Sequence, residues 1–209
     1  NPFSSRCCQH NHAQGWPYYS EHLILATPDN GAAIALYAAC KATLKVADGQ
    51  EITLHEQTNY PFEEKISFTV NTTEDVRFPF YLRIPSWCDQ PELAINGKQK
   101  EIDPIPGKYI YIDRTWTDGD KVELNLPMKL SIRTWQVNKN SVSVNYGPLT
   151  LSLKINEEYI QKDSRSTAIY DSRWQEGADA TQWPSYEIFP KSPWNYALVL
   201  DSKVPLKNF

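Results

Sequence analysis

Apolar and polar residues alternate along most of the stretch from Ile34 to Leu153, the period-2 pattern of strands with one buried face. Ala42 to Val46 alternates, Asp48-Gly49 breaks the run, and Glu51 to Gln57 alternates again. Asp-Gly between two such runs predicts a hairpin, because both residues tolerate positive φ. Lys65 to Val70 places Ile66, Phe68 and Val70 on one face, and Phe78 to Ile84 does the same with Phe78, Phe80, Leu82 and Ile84. Pro79 has no N–H for a strand ladder, so the second run is expected at a sheet edge or a bulge. Glu92 to Asn96 closes on Asn96-Gly97, a type I′ signature. Lys108 to Asp113 follows, and Asp118-Gly119-Asp120 leads into Lys121 to Leu126, where Val122, Leu124 and Leu126 share a face. Short strands separated by Gly and Asn/Asp turns predict an antiparallel β-sandwich.

Pro127-Met128 marks a seam. Beyond it, Leu130 to Trp135, Ser141 to Asn145 and Leu149 to Leu153 are strand candidates, with Tyr146-Gly147-Pro148 as a turn. Asn156 to Lys191 reads as irregular, and Tyr196 to Leu200 as a last apolar run. The first 25 residues do not fit the sandwich. Ser20 to Leu25 reads as the last turn of a helix, while Gly15 and Pro17 argue against a long one. The expected fold class is mainly β: an antiparallel, jelly-roll-like sandwich over 26–128, then a second, incomplete β unit over 129–209. Residues 1–25 belong to neither unit by this pattern.

Composition supports a packed globular chain: 209 residues, 41% apolar and 12% aromatic. The 21 basic and 25 acidic residues are mixed along the sequence, and the formal net charge is -4. Without a basic stripe, nucleic acid is not an expected partner. The longest apolar stretch, Gly31 to Cys40, is far short of the roughly 20 residues that span a bilayer, so no membrane partner is expected either. The chain opens on Asn1, and its one methionine is Met128. Its chemically richest segment lies at the very start with no domain before it, so we expect an internal portion of a longer protein.

That segment is Cys7-Cys8-Gln9-His10-Asn11-His12. Thiolates and imidazoles are the preferred ligands of Zn²⁺, which takes four in a tetrahedron. Adjacent side chains on extended backbone point to opposite faces, so the Cys-Cys pair is not a self-contained zinc site by its spacing. The other two cysteines read differently. Cys40 ends an apolar run and Cys88 follows Trp87 at a strand end, positions suited to buried or half-buried thiols acting as small hydrophobes.

Several motifs in fixed order carry a family resemblance. Cys7-Cys8 followed by Asn11 is similar to a Cys-Cys-x-x-Asn motif, with Gln9-His10 where that family often has Pro-Pro. Downstream stand Gln57-Thr58-Asn59-Tyr60-Pro61, Leu82-Arg83-Ile84-Pro85-Ser86-Trp87, Ile95-Asn96-Gly97, the segment Tyr109 to Asp120, Leu126-Pro127-Met128 and Tyr146-Gly147-Pro148-Leu149. Together they resemble the C-terminal half of glycoside hydrolase family 127, the β-L-arabinofuranosidase type. The resemblance is specific from Cys7 to about Leu153 and thinner afterwards.

The resemblance implies an (α/α)-barrel catalytic domain upstream, a partner within the same chain, and a carbohydrate substrate. It implies that residues 1–25 are the end of that upstream helical domain. It implies that Cys7 is the nucleophile and a zinc ligand, and that Cys8 is a second ligand. The remaining ligands and the acid/base Glu would lie upstream, so Zn²⁺ is expected in the longer protein and none in this portion alone. His10 and His12 are second-tier candidates, as local ligands or as lining of a sugar pocket.

Two further readings compete. The seven tryptophans suggest a non-catalytic carbohydrate-binding module, although Trp87 and Trp116 lie at strand ends where large aromatics close a core. Alternatively, residues 34–153 are a scaffold for the barrel and for a homodimer interface, since no nucleophile, base and oxyanion donor cluster there.

Overall fold

The computed structural model describes residues 2–3, 11–168 and 172–198. It is mainly β, with fifteen strands and one helix of more than a single turn among the described residues. The chain folds as two compact units, Tyr19–Leu151 and a second formed by 1–18 with 152–209.

The first unit is built around a two-sheet sandwich. One sheet has four strands, β1 (Ile24–Ala26), β2 (Ala32–Ile34), β6 (Val76–Arg83) and β9 (Tyr109–Trp116), in the order β1-β2-β6-β9. The other has six: β3 (Cys40–Val46), β4 (Gln50–Thr58), β5 (Lys65–Thr72), β10 (Asp120–Asn125), β7 (Glu92–Ile95) and β8 (Lys98–Lys100), ordered β3-β4-β5-β10-β7-β8. All pairings are antiparallel except β2 with β6, which run parallel from Ala32↔Phe80 to Ile34↔Leu82.

The alternation read from the sequence sets which faces meet. Ile66, Phe68 and Val70 of β5, Phe78, Phe80 and Leu82 of β6, and Val122 and Leu124 of β10 are fully buried. Phe68 and Phe80 meet edge-on across the two sheets at 5.6 Å between ring centroids. Trp116 lies against Phe78 and Phe80 and donates its indole N–H to the Phe78 carbonyl at 3.0 Å, so its one polar atom is satisfied in the core.

Turn chemistry follows the sequence with one correction. Asn96 and Gly97 have φ of 51° and 73° and join β7 to β8 in the two-residue loop expected of Asn-Gly. The β3–β4 hairpin instead pairs Val46 with Gln50, leaving three loop residues, with positive φ at Ala47 and Gly49 and not at Asp48. Ala47 packs on the core and donates its N–H to the Asn30 carbonyl at 2.7 Å, which draws the extra residue into the loop.

Pro79 requires a second correction. Strand β6 lies inside its sheet, between β2 and β9, not at an edge. The proline is accommodated because β2 pairs only from Phe80 onward, leaving no strand beside Pro79 on that side. The chain there is so close that a Cβ on Gly31 would run into the Pro79 carbonyl oxygen and ring.

The N-terminal helix ends earlier than expected. Helix α1 covers Gly15–Glu21, and of the residues read as its last turn Leu23 enters the core and Ile24 and Leu25 begin strand β1, which pairs with β2. After the sandwich, β11 (Leu130–Trp135), β12 (Ser141–Tyr146) and β13 (Leu149–Leu151) form the three-stranded meander expected there.

In the second unit, the stretch read as irregular contains an antiparallel ribbon. Strands β14 (Glu157–Lys162) and β15 (Ser185–Pro190) pair in register from Glu157↔Pro190 to Lys162↔Ser185. Every residue of β14 is exposed, so the burial that would write an alternating pattern is missing. Phe3 bridges to Trp174 and packs edge-on against its ring at 5.3 Å. Of the expected last run, Tyr196 and Leu198 are exposed and outside any strand, and residues 199–200 lie outside the described residues.

Candidate functional site

Cys7, Cys8 and His10 lie outside the described residues. His12 is exposed, in a turn just before α1. Among the described residues, no three His, Cys, Asp or Glu side chains converge on a metal position. The described residues alone therefore do not make a zinc centre.

The chemically notable group that the sequence reading missed is Glu56. Strand β4 alternates inward Ile52 and Leu54, and Glu56 takes the next inward position, completely buried. Its two oxygens are held separately. Oε1 accepts from the Ala38 backbone N–H at 3.1 Å, and the Cys40 thiol, on the directly paired residue of β3, donates to Oε2 at 3.9 Å. Burial pushes the carboxyl up to about 8, more than its two hydrogen bonds lower it. Burial, with the neighbouring Glu56, likewise pushes the Cys40 thiol up to about 11. At neutral pH this is a pair of protonated groups, and Cys40 is the opposite of an activated thiolate. Cys88, fully buried, is also raised by burial. Cys88 is buried and Cys40 half-buried, as the reading of both as buried or half-buried thiols expects. The period-2 pattern of β4 itself could have flagged Glu56, since it puts a carboxylate in register with two core residues.

Around this pair, polar groups tie strand ends together. Buried Tyr37 donates its hydroxyl to the Arg83 carbonyl at 2.5 Å, Arg83 donates Nε–H to the Ala35 carbonyl at 2.5 Å, and Tyr19 donates to the Tyr37 carbonyl at 3.2 Å. These bonds saturate backbone acceptors and hold no reacting group, so the cluster is structural.

The tryptophans divide. Trp116 is core and Trp87 is half-buried against the core. Trp174 is half-buried and donates to the Ala178 carbonyl at 3.1 Å. Trp16, Trp135, Trp183 and Trp194 are exposed, and the Arg133 guanidinium stacks 3.7 Å from the Trp135 ring centroid. On the sandwich proper, tryptophan closes the core.

The fold of the chain is similar to part of several solved glycoside hydrolases. A protein described as a glycoside hydrolase aligns at 29% identity and a TM-score of 0.63, over 70% of this chain and 25% of its own. Ara127N-Se, a GH127 β-L-arabinofuranosidase from Geobacillus stearothermophilus T6, aligns at 23% identity and TM-score 0.63, over 88% of this chain and 34% of its own. A GH127 β-arabinofuranosidase aligns at 24% identity and TM-score 0.60, over 76% and 30%. The last two show the fold alone. The chain thus has the β architecture found in multidomain glycoside hydrolases and spans about a quarter to a third of the length of these structures.

The particular match comes from the sequence. Residues 31–128 match the family described as "Beta-L-arabinofuranosidase, GH127 middle domain". No curated protein matches the chain.

Proposed function

We propose that this chain is the β portion of a retaining glycoside hydrolase that acts on β-L-arabinofuranosides or related furanosides. The observation that carries the reading is the match of residues 31–128 to the GH127 middle domain. The middle domain acts as a scaffold beside a catalytic domain elsewhere in the longer protein.

Two facts support that division of labour. Cys40 and the fully buried carboxyl of Glu56 are protonated at neutral pH, unsuited to attack an anomeric carbon. Among the described residues, no other cluster of thiols, imidazoles and carboxyls takes their place. The family resemblance, not the described residues, assigns the nucleophile to Cys7, with Cys7 and Cys8 as zinc ligands in the complete site, and His10 and His12 near the sugar. A retaining mechanism needs two groups flanking the glycosidic bond. In this reading the Cys7 thiolate displaces the aglycone, an acid outside this chain protonates the departing oxygen, and water then releases the sugar with retention. The 209-residue chain by itself is inactive in this scheme and holds no stoichiometric zinc.

The test is Cys7→Ser in the longer protein, assayed on an aryl β-L-arabinofuranoside. Loss of turnover by orders of magnitude is the expected outcome, and turnover at the parent level removes the nucleophile assignment. Metal analysis of the 209-residue chain is the companion measurement: stoichiometric, tightly held zinc would contradict the division of ligands.

A further inference from the structure

The outward face of the four-stranded sheet carries aromatic rings where a solvated strand face usually carries charges. Tyr81 on β6 stands directly opposite Tyr111 on β9, with ring centroids 5.1 Å apart and planes tilted by 54°. Tyr109, two residues before Tyr111 and so on the same face, opposes Arg83. Tyr109 and Tyr111 are 45% and 56% exposed, far above the fully buried aromatics of the inner face. A groove of about 560 Å³ runs beside the rings, lined by Leu25, Thr27, Pro28, Asp29, Tyr81 and Tyr109.

The polar groups of this groove are few and fixed. Asp29 accepts from the Tyr81 hydroxyl at 2.5 Å and from the Thr27 hydroxyl. Those two bonds keep its carboxyl below the ordinary range, so it is ionised at neutral pH. Two donors do not exhaust a carboxylate, which has about four acceptor positions. The cations that β6 brings to this face are already committed. Arg77 binds Asp113 through Nε at 3.2 Å and through a terminal nitrogen at 2.9 Å, and Arg83 is turned to the Ala35 carbonyl.

These features select a ligand class. An anion would meet the Asp29 carboxylate that lines the groove. A groove of about 560 Å³ lies within the ~300–1,000 Å³ of small-molecule sites. What fits is a molecule with an apolar C–H face for the negatively polarised tyrosine rings and hydroxyl donors at its rim for the carboxylate. We propose that the outward face of the four-stranded sheet binds a neutral oligosaccharide, with sugar rings on Tyr109 and Tyr111 and a sugar hydroxyl donating to Asp29. This goes beyond the catalytic reading and does not rest on it, because binding here needs neither Cys7 nor any residue outside the chain.

Calorimetric titration of the protein with arabinotetraose, xylotetraose and cellotetraose tests it. Saturable binding of at least one probe is expected, weakened tenfold or more by Tyr111→Ala or Tyr109→Ala and severalfold by Asp29→Asn. Tyr111→Phe keeps the ring and should retain most affinity, and Thr43→Ala, on the outward face of the other sheet, should change nothing. Because a variant could fail to fold, amide shifts of the unmutated protein are mapped in parallel and should centre on Asp29, Tyr81 and Tyr109. Absence of binding by all three probes overturns the proposal. So do shifts centred on the exposed tryptophans, or affinity unaltered in the Tyr109→Ala/Tyr111→Ala variant. Self-association abolished by Tyr111→Ala, without sugar binding, gives the face to a second copy of the chain and equally overturns it. Loss of sugar binding says nothing of turnover in the longer protein, so this test and the Cys7→Ser assay fail separately.

Discussion

Strands β5 and β14 are of similar length and each sits in an antiparallel pairing, yet they belong to different physical regimes. In β5 every second residue, Ile66, Phe68 and Val70, is fully buried against the opposing sheet. In β14 all six residues are exposed, with Tyr159 and Ile160 adjacent instead of alternating. A strand held by face-to-face burial writes its structure into the sequence with period 2. A ribbon held by its ladder and by cross-strand rings, such as Tyr159 against Tyr186 at 6.0 Å, leaves almost no such trace.

The sharpest way to break this comparison is to remove burial from the sandwich. Trp116→Ala takes away the largest fully buried side chain and its indole hydrogen bond. It should destabilise the Tyr19–Leu151 unit by about 3–5 kcal/mol, read as a shift in urea midpoint. A loss under about 1 kcal/mol would deny that the core carries the fold.

Glu56 supplies the next effect, through pH. Its carboxyl titrates near 8 when folded and near 4.5 by its ordinary value. Between those values the folded state holds a proton that the unfolded state releases, so the stability Glu56 contributes is fully present below about 4.5 and is lost as pH rises toward 8. The titratable neighbours of the group, Cys40 and Tyr37, are both raised by burial and stay protonated through that window. The unmutated protein should lose on the order of 3 kcal/mol between pH 5 and 8. Glu56→Gln, which keeps an acceptor for the Ala38 N–H, should flatten the profile of Tm against pH. A variant that follows the same slope as its parent would place the titration elsewhere.

Gly31→Ala comes third. The added methyl meets the Pro79 carbonyl and ring, and overpacking of this kind costs about 1–3 kcal/mol. Ile160→Thr in the ribbon should be smallest, within about 0.5 kcal/mol of the parent in the urea midpoint of the sandwich, because the residue is exposed. A large effect there would erase the distinction drawn between β5 and β14.

Legibility followed burial. The inward residues of β5, β6 and β10 and the Asn96-Gly97 turn were readable because one cause, exclusion of one face from water, repeats at every second position. The place of Pro79 inside a sheet was not, since it depends on where β2 stops, a matter of tertiary register. Glu56 was legible in position and not in consequence: the pattern puts it inward, but the pairing with Cys40 and the Ala38 N–H comes from the fold. The catalytic inference came from motif order, and Cys7, Cys8 and His10 fall outside the described residues, so the structure adds nothing to them. The tyrosine face was masked by the same alternation that revealed the core. Tyr109 and Tyr111 occupy outward positions, where a ring and a lysine satisfy the pattern equally.

The parallel pairing of β2 with β6 has a consequence for the order in which this molecule assembles. Strands β3, β4 and β5 pair with sequence neighbours, and each hairpin can close as soon as its residues exist. Strand β2 must wait for a partner delivered after all three, and the Arg83 to Ala35 bond that secures the junction spans 48 residues. Closing so long a loop costs entropy before any contact repays it. On a ribosome, the edge made of β1 and β2 is therefore the first part of the sandwich to emerge and among the last to be finished.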